Sequence, residues 1–291
     1  MHTLLDRARV FENDLVALRR DLHRHPELAF REVRTASVAA NHVEALGFEV
    51  RTGIGRTGVV AEMENGAGPT IALRADMDAL PIHEENDVEY RSTVPGVMHA
   101  CGHDAHVAIL IGAARLLADA RERGELPAGT IRLLFQPAEE DSDAENKSGA
   151  TRMIEDGAMH GVDAVFGLHV GAHLPAGTLF TCPGPIMGGT DSFTATIRGR
   201  SAHAARPEDA VVLAAHAILA CQNAVARRIA PADPAVLTIG RIAGGVADNV
   251  IAEHVTLEGT LRYFDDDVRN ALHRELHRAM DVVRALGGEA E

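Results

Sequence analysis

Tryptophan is absent from this 291-residue chain and aromatic residues make up only 3% of it. A core drawn from its 46% hydrophobic content must therefore be built of Ala, Val, Leu and Ile. Cysteine is scarce as well. Cys101, Cys182 and Cys221 are odd in number and widely spaced, which makes no disulfide framework and fits a reducing compartment. No stretch of 18 uninterrupted apolar residues occurs, and the N-terminus mixes acids and arginines with its leucines. No signal peptide or membrane span is expected on these grounds, and the chain reads as cytoplasmic. Positive charge is in deficit: 28 Lys and Arg against 42 Asp and Glu give a formal charge of −14. Repulsion from phosphate backbones and anionic headgroups argues against nucleic acid or membrane as partner. The length suggests two domains.

Against this background one stretch is dense in chemistry. Met98-His99-Ala100-Cys101-Gly102-His103-Asp104-Ala105-His106 places three histidines, a cysteine and an aspartate just ahead of an apolar helical run. Thiolate and imidazole are both good ligands for zinc-like cations, and Cys101 and His103, separated by a glycine, can turn toward one point. The plainer reading has one histidine packing, another capping a helix, and the cysteine buried as a small hydrophobe.

Apolar periodicity predicts helices over 4–24, 32–46, 106–120 and 150–156, and strands over 48–51, 59–64, 70–75, 130–135 and 164–170. This alternation indicates an α/β layer structure. The strand ends are informative. The first apolar strand runs into Asp76-Met77-Asp78, the next into Glu139-Glu140, and the third into His169. In α/β sheets the ligand crevice lies beyond the C-terminal strand ends, so these residues and the Cys101 loop point to one shared, dispersed metal site. Such a site is unlike a zinc finger, whose ligands come in short paired spacings. A Gly/Pro-rich stretch, Pro183-Gly184-Pro185 and Gly188-Gly189, marks a boundary, with one domain over 1–187 and another over 188–291. The second reads strand 191–198, helix 209–227, strand 235–242, strand 251–263 and helix 267–286. That is the order of a ferredoxin-like domain lacking its last strand.

Taken together, Arg74-Ala75-Asp76-Met77-Asp78-Ala79-Leu80-Pro81-Ile82, the 98–106 stretch, Phe135-Gln136-Pro137-Ala138-Glu139-Glu140 and Gly167-Leu168-His169 resemble the amidohydrolases of the aminoacylase and carboxypeptidase type. The branch is that of hippurate hydrolase and the indole-acetyl-amino-acid hydrolases. The resemblance implies an α/β catalytic domain with a dinuclear metal site and an inserted ferredoxin-like lid that dimerises. It implies metal ligation by Cys101, His103, Glu140 and His169, with two divalent ions (Zn, Mn or Co), Glu139 as general base and Asp78 as a supporting aspartate. In the lid it implies that His203 reaches into the partner subunit's active site and that Asn249 contacts substrate; Arg206 and Arg262 are candidates to hold a substrate carboxylate. The remaining histidines, His99, His106, His173, His216, His254, His273 and His277, are read as structural or solvated, and Met77, Met98 and Met153 as packing.

The expected function is metal-dependent hydrolysis of an N-acyl amino acid by a homodimer. The chain departs from the resemblance at Ser201, Ala202, Glu208 and Ala252, which loosens the substrate assignment, and it ends at Glu291 before the histidine expected as the last ligand, as a truncated product would. Two other readings fit the residues: a cysteine hydrolase with Cys101 as nucleophile, and a catalytically incomplete chain that holds metal or dimerises.

Overall fold

The helical period over 4–24 is interrupted. Thr3 and Asp6 form a reciprocal capping box that starts α1 (Leu4–Arg9). The Val10 and Phe11 amides then bond only three residues back, and at Phe11 the backbone leaves helical angles (φ −116°, ψ 19°) before α2 (Glu12–Arg24) begins. The structure, a computed structural model, describes residues 3–199 and 209–291. The chain divides into two compact units between Ala176 and Gly177, ahead of the Gly/Pro-rich stretch that marks the boundary in the sequence.

The first unit continues with α3 (Val33–Glu44), β1 (Glu49–Ile54), β2 (Gly58–Glu64), β3 (Thr70–Asp76), α4 (His103–Glu122), β4 (Thr130–Gln136), α5 (Gly149–Glu155) and β5 (Ala164–Gly167). Its five-stranded sheet has the order β1-β2-β4-β3-β5. The first two neighbour pairs, β1 with β2 and β2 with β4, are antiparallel; β4 with β3 and β3 with β5 are parallel. Strand alternation divides the interior. Val59, Ala61, Met63, Leu133 and Phe135 face a cluster completed by Leu22, Ala39, Val43, Val107, Ile111 and Ala114 from α2, α3 and α4. Val60, Ala72 and Leu134 face the other side, against Met153 and Ala158. The parallel register of β3, β4 and β5 brings three C-terminal strand ends to one edge, where α4 also begins.

The second unit holds β6 (Gly189–Arg198), α6 (Ala210–Arg228), β7 (Val236–Gly244), β8 (His254–Tyr263), α7 (Asp266–Ala285) and β9 (Glu289–Ala290). Its sheet runs β7-β8-β6-β9, which is the ferredoxin-like order. The expectation of a missing last strand is corrected here. After α7 the chain turns at Gly287 (φ 92°) and Glu289–Ala290 pair antiparallel with Arg198 and Ile197. Two paired residues are too short to register as a period in sequence. Among the described residues, α6 is the helix long and apolar enough to cross a membrane; its Leu213, Ala214, Ala217 and Cys221 pack into the core of this unit.

Candidate metal centre

The site grows from the strand ends of the first unit. β3 delivers Asp76 and, two residues on, Asp78, which are 2% and 1% exposed. Asp78 organises its neighbours. Its carbonyl oxygen accepts from His103 Nδ1 at 2.8 Å, its Oδ1 lies 3.2 Å from the same nitrogen, and its Oδ2 accepts the Glu140 amide at 2.9 Å. A carbonyl can only accept, so Nδ1 carries the proton, and in the neutral ring the lone pair falls on Nε2. That nitrogen faces Asp76 Oδ2 at 3.6 Å, Glu140 Oε1 at 3.8 Å and Glu139 Oε2 at 3.9 Å. Both His103 Nε2 and Glu140 Oε1 are buried without a hydrogen-bond partner.

Helix α4 begins at His103, earlier than its apolar period suggests, because Gly102 takes a left-handed conformation (φ 83°) directly before it. A Cβ there would stand 2.3 Å from Val170 Cγ2, so a side chain is excluded. This turn holds Cys101 beside the helix start, with Sγ 3.8 Å from His169 Nε2. The ligand atoms of Cys101, His103 and Glu140 all lie within 4.8 Å of one another, as do those of Asp76, His103 and His106. Softer sulfur and nitrogen donors with a carboxylate suit zinc and related divalent ions. The residues therefore fit a metal: two buried donors without partners converge with a thiol, an imidazole and acids, an arrangement costly to bury unless a cation joins it.

The charges around the site act on one another. Burial, with Glu140 and Glu139 nearby, pushes the Cys101 thiol up to about 12. Burial and the negative charges of Glu140 and Asp76 raise Glu139 above the ordinary carboxylate value. Asp76 goes the other way: burial opposes ionisation, but the His106 hydrogen bond and the positive charges of His103 and Arg74 outweigh it and bring it to about 2. His103 is raised, burial being overcome by Asp78, Asp76 and Glu139.

His106 is the residue the sequence undervalues. It is 2% exposed, its Nε2 accepts the Val170 amide at 3.0 Å, and its Nδ1 therefore donates to Asp76 Oδ1 at 2.5 Å. Asp76 also pairs with Arg74 at 2.6 Å. The chain Arg74, Asp76, His106, Val170 thus fixes the backbone next to His169. Behind it, buried Asp104 accepts from His23 Nδ1 and pairs with Arg19, each at 2.8 Å, and His23 Nε2 reaches Glu84 at 3.1 Å. The sequence holds these acids and imidazoles too far apart to pair by inspection. The one available signal for Asp76 is its place at a strand end beside Asp78.

Cys101, His103, Glu139, Glu140, His169 and Asp78 are thus brought together. Asn249 and Arg262 belong to the second unit and are exposed, Asn249 in a turn after β7 and Arg262 on β8 across from Thr190 and Val236. His203 and Arg206 lie outside the described residues.

A family model described as peptidase family M20/M25/M40 matches residues 72–266. The chain belongs to that family. A thermostable carboxypeptidase 2 of Saccharolobus solfataricus is 41% identical over 282 residues, 95% of this chain and 70% of that protein. An N-acetyl-L-cysteine deacetylase of Bacillus subtilis is 42% identical over 278 residues, 94% of this chain and 65% of that one. In structure the chain resembles a dinuclear metal-binding peptidase of the M20 family from Bacillus subtilis, with a TM-score of 0.81 and 38% identity over 97% of this chain and 73% of that one. Membership in M20/M25/M40 makes the protein one of a family of hydrolytic enzymes. The neighbour's dinuclear centre and the Cys101, His103 and Glu140 group found here together support divalent metal binding, whereas His106 and Asp76 are taken up by their own hydrogen bonds and ion pair.

Proposed function

We propose that the chain hydrolyses the amide bond of an N-acyl amino acid, releasing a carboxylic acid and the free amino acid. The observation that carries this reading is the convergence of His103 Nε2 and Glu140 Oε1, both buried and unpartnered, beside Glu139. In this reading Cys101, His103, Glu140 and His169 hold two divalent ions, with Zn, Mn and Co all suited to such donors. When bound, such ions supply polarisation of a carbonyl and a lowered pKa, about 7, for coordinated water.

The protein's own groups divide the remaining work. Glu139 is the most open of the site carboxylates, 41% exposed, and its raised pKa favours an acid and base working near neutrality. It takes the proton from water and returns it to the departing nitrogen. Asp78 keeps His103 in the tautomer that frees Nε2 and anchors the Glu140 backbone. Arg74, Asp76 and His106 hold the His169 segment. In the second unit, His203 donates to the developing oxyanion, a contribution of about 3 kcal/mol for donors of this kind, while Asn249, Arg262 and Arg206 take the substrate's polar end.

The N-acyl class is supported by the relatives, among them the N-acetyl-L-cysteine deacetylase. The scarcity of cysteine supports a cytoplasmic setting, and the ferredoxin-like sheet, which ends on β7 among the described residues, supports a homodimer formed through the lid at 188–291, the catalytic domain being 1–187.

A cysteine hydrolase built on Cys101 is disfavoured. Burial, with Glu140, Glu139 and Asp76 nearby, holds the thiol protonated up to about 12, the reverse of an activated nucleophile, whereas a metal ligand is deprotonated outright by its ion. The test is amine release from N-acetyl and N-benzoyl amino acids, with Zn or Mn added and again with chelator. Turnover that chelator abolishes and metal restores supports the proposal. Turnover insensitive to chelator restores the cysteine reading, and a folded chain without turnover leaves a metal-holding or dimerising protein.

A further inference from the structure

Glu32 lies outside the cluster and carries no ligand atom toward it, yet it is fully buried at 0% exposure. Its contacts explain why a carboxylate is kept there. Oε1 accepts two backbone amides, Ala138 at 2.8 Å and Phe30 at 3.0 Å, and Oε2 accepts the Thr57 hydroxyl at 2.5 Å. Ala138 and Phe30 are both non-glycine residues in the left-handed region, at φ 43° and φ 59°, a conformation L side chains disfavour. Ala138 immediately precedes Glu139 and Glu140, and it is gripped at its other end too, its carbonyl accepting the Gly149 amide at 2.9 Å.

We infer that Glu32 is a positioning residue: by holding the Ala138 amide it keeps the turn after β4 in the left-handed conformation that aims Glu139 and Glu140 at His103. The inference rests on the proposed roles of that glutamate pair. It assigns Glu32 no contact with substrate and no proton to move. Because both amides converge on one oxygen, the acceptor is what matters. A glutamine carbonyl can take both, with its NH2 turned to the Thr57 hydroxyl, which can also accept. A methionine of similar length fills the space and accepts neither.

The test compares Glu32→Gln, Glu32→Met and the double variant Glu32→Met with Ala138→Gly by Co(II) titration of the apo chain, by steady-state kinetics, and by amide hydrogen exchange over residues 138–140. Glu32→Gln should match the wild type within about 3-fold in Co(II) affinity. Glu32→Met should weaken affinity and lower kcat by about 10-fold or more, the size of effect seen when supporting partners of a metal site are lost, with KM held within about 2-fold and faster exchange at 138–140. Adding Ala138→Gly removes the strain and should recover a large part of the loss. Val43→Ala, a core cavity in α3 remote from that turn, controls for lost stability alone and should leave Co(II) affinity unchanged.

The inference is overturned if Glu32→Gln and Glu32→Met behave alike, if Val43→Ala reproduces the loss, or if the double variant recovers nothing. Should Glu32→Met fail to fold, a drop above 10-fold in Glu32→Gln alone overturns it. If the wild type binds no Co(II), the metal-centre reading falls. The exchange data still decide the inference in that event: protection at 138–140 retained in Gln and lost in Met supports it, and equal exchange refutes it.

Discussion

The two units bury opposite kinds of interior. Among the described residues, every buried polar or charged side chain lies in the first unit, from His23 to Gln136, and includes Glu32, Asp76, Asp78, Glu84, His99, His103, Asp104 and His106. The core of the second unit is apolar throughout, from Ala195 and Ile197 on β6 to Met280 and Val283 on α7, with Cys221 its most polar member. Each large apolar side chain buried there contributes roughly 1.5–3 kcal/mol, so this sheet and its two helices need no special chemistry to hold. Buried carboxylates and imidazoles do the reverse, costing stability unless paired. The first unit pairs most of them, through Asp78, His23 and Arg74; the atoms left bare include the two that face each other across the site, along with both ring nitrogens of His99 and Asp104 Oδ1. The contrast locates function in the unit that tolerates the cost.

That contrast can be broken or sharpened by substitution. The largest effect expected is on catalysis: Glu139→Gln should lower kcat by about 10²–10⁴-fold with metal content unchanged, as loss of a general base does, measured by amine release alongside metal analysis. In the second unit, Leu261→Ala, at a side chain 0% exposed, should cost about 2–5 kcal/mol in denaturant unfolding while leaving metal stoichiometry in the folded protein intact. Lost metal there would erase the distinction between the units. Saturating divalent metal at 100-fold its Kd should stabilise the first unit by about 2.7 kcal/mol. Hydrogen exchange should then slow in β3 and β4 and stay unchanged in β6 and β8.

The smallest effect is one of pH. Asp191 accepts from Arg269 at 2.6 Å, His273 at 2.7 Å and Tyr263 at 3.0 Å. Burial opposes its ionisation, but these partners prevail and bring it from 3.8 to about 2. A carboxylate depressed in the folded state adds stability that is present above pH 3.8 and fades as pH falls through about 2. Asp191→Asn should therefore destabilise the second unit at neutral pH and match the wild type near pH 2, as followed by denaturant midpoints. A constant deficit across that range would show that the loss is packing alone.

Much of this was legible in the residues. Strand ends carrying Asp78, Glu139, Glu140 and His169 located the cluster because parallel strands share one C-terminal edge, and the β-α-β-β-α order announced the second sheet. What stayed hidden depends on tertiary partners or on very short pairings. His106 looks like the first turn of an apolar helix until Asp76, on another element, is placed against its Nδ1. Glu32 reads only as the first residue of a helix until the Ala138 amide is placed against it. The break at Phe11 interrupts a regular apolar period without a glycine or proline to announce it, and β9 is two residues long.

The central claim is that Cys101, His103, Glu140 and His169 form one metal centre, and Co(II) binding read through the Cys101 thiolate tests it most directly. The account predicts a sulfur-to-cobalt absorption band in the wild type, its disappearance in Cys101→Ser, and weakened binding in His103→Ala and His169→Ala. Equal Co(II) affinity in all four proteins, with no band in the wild type, would contradict it.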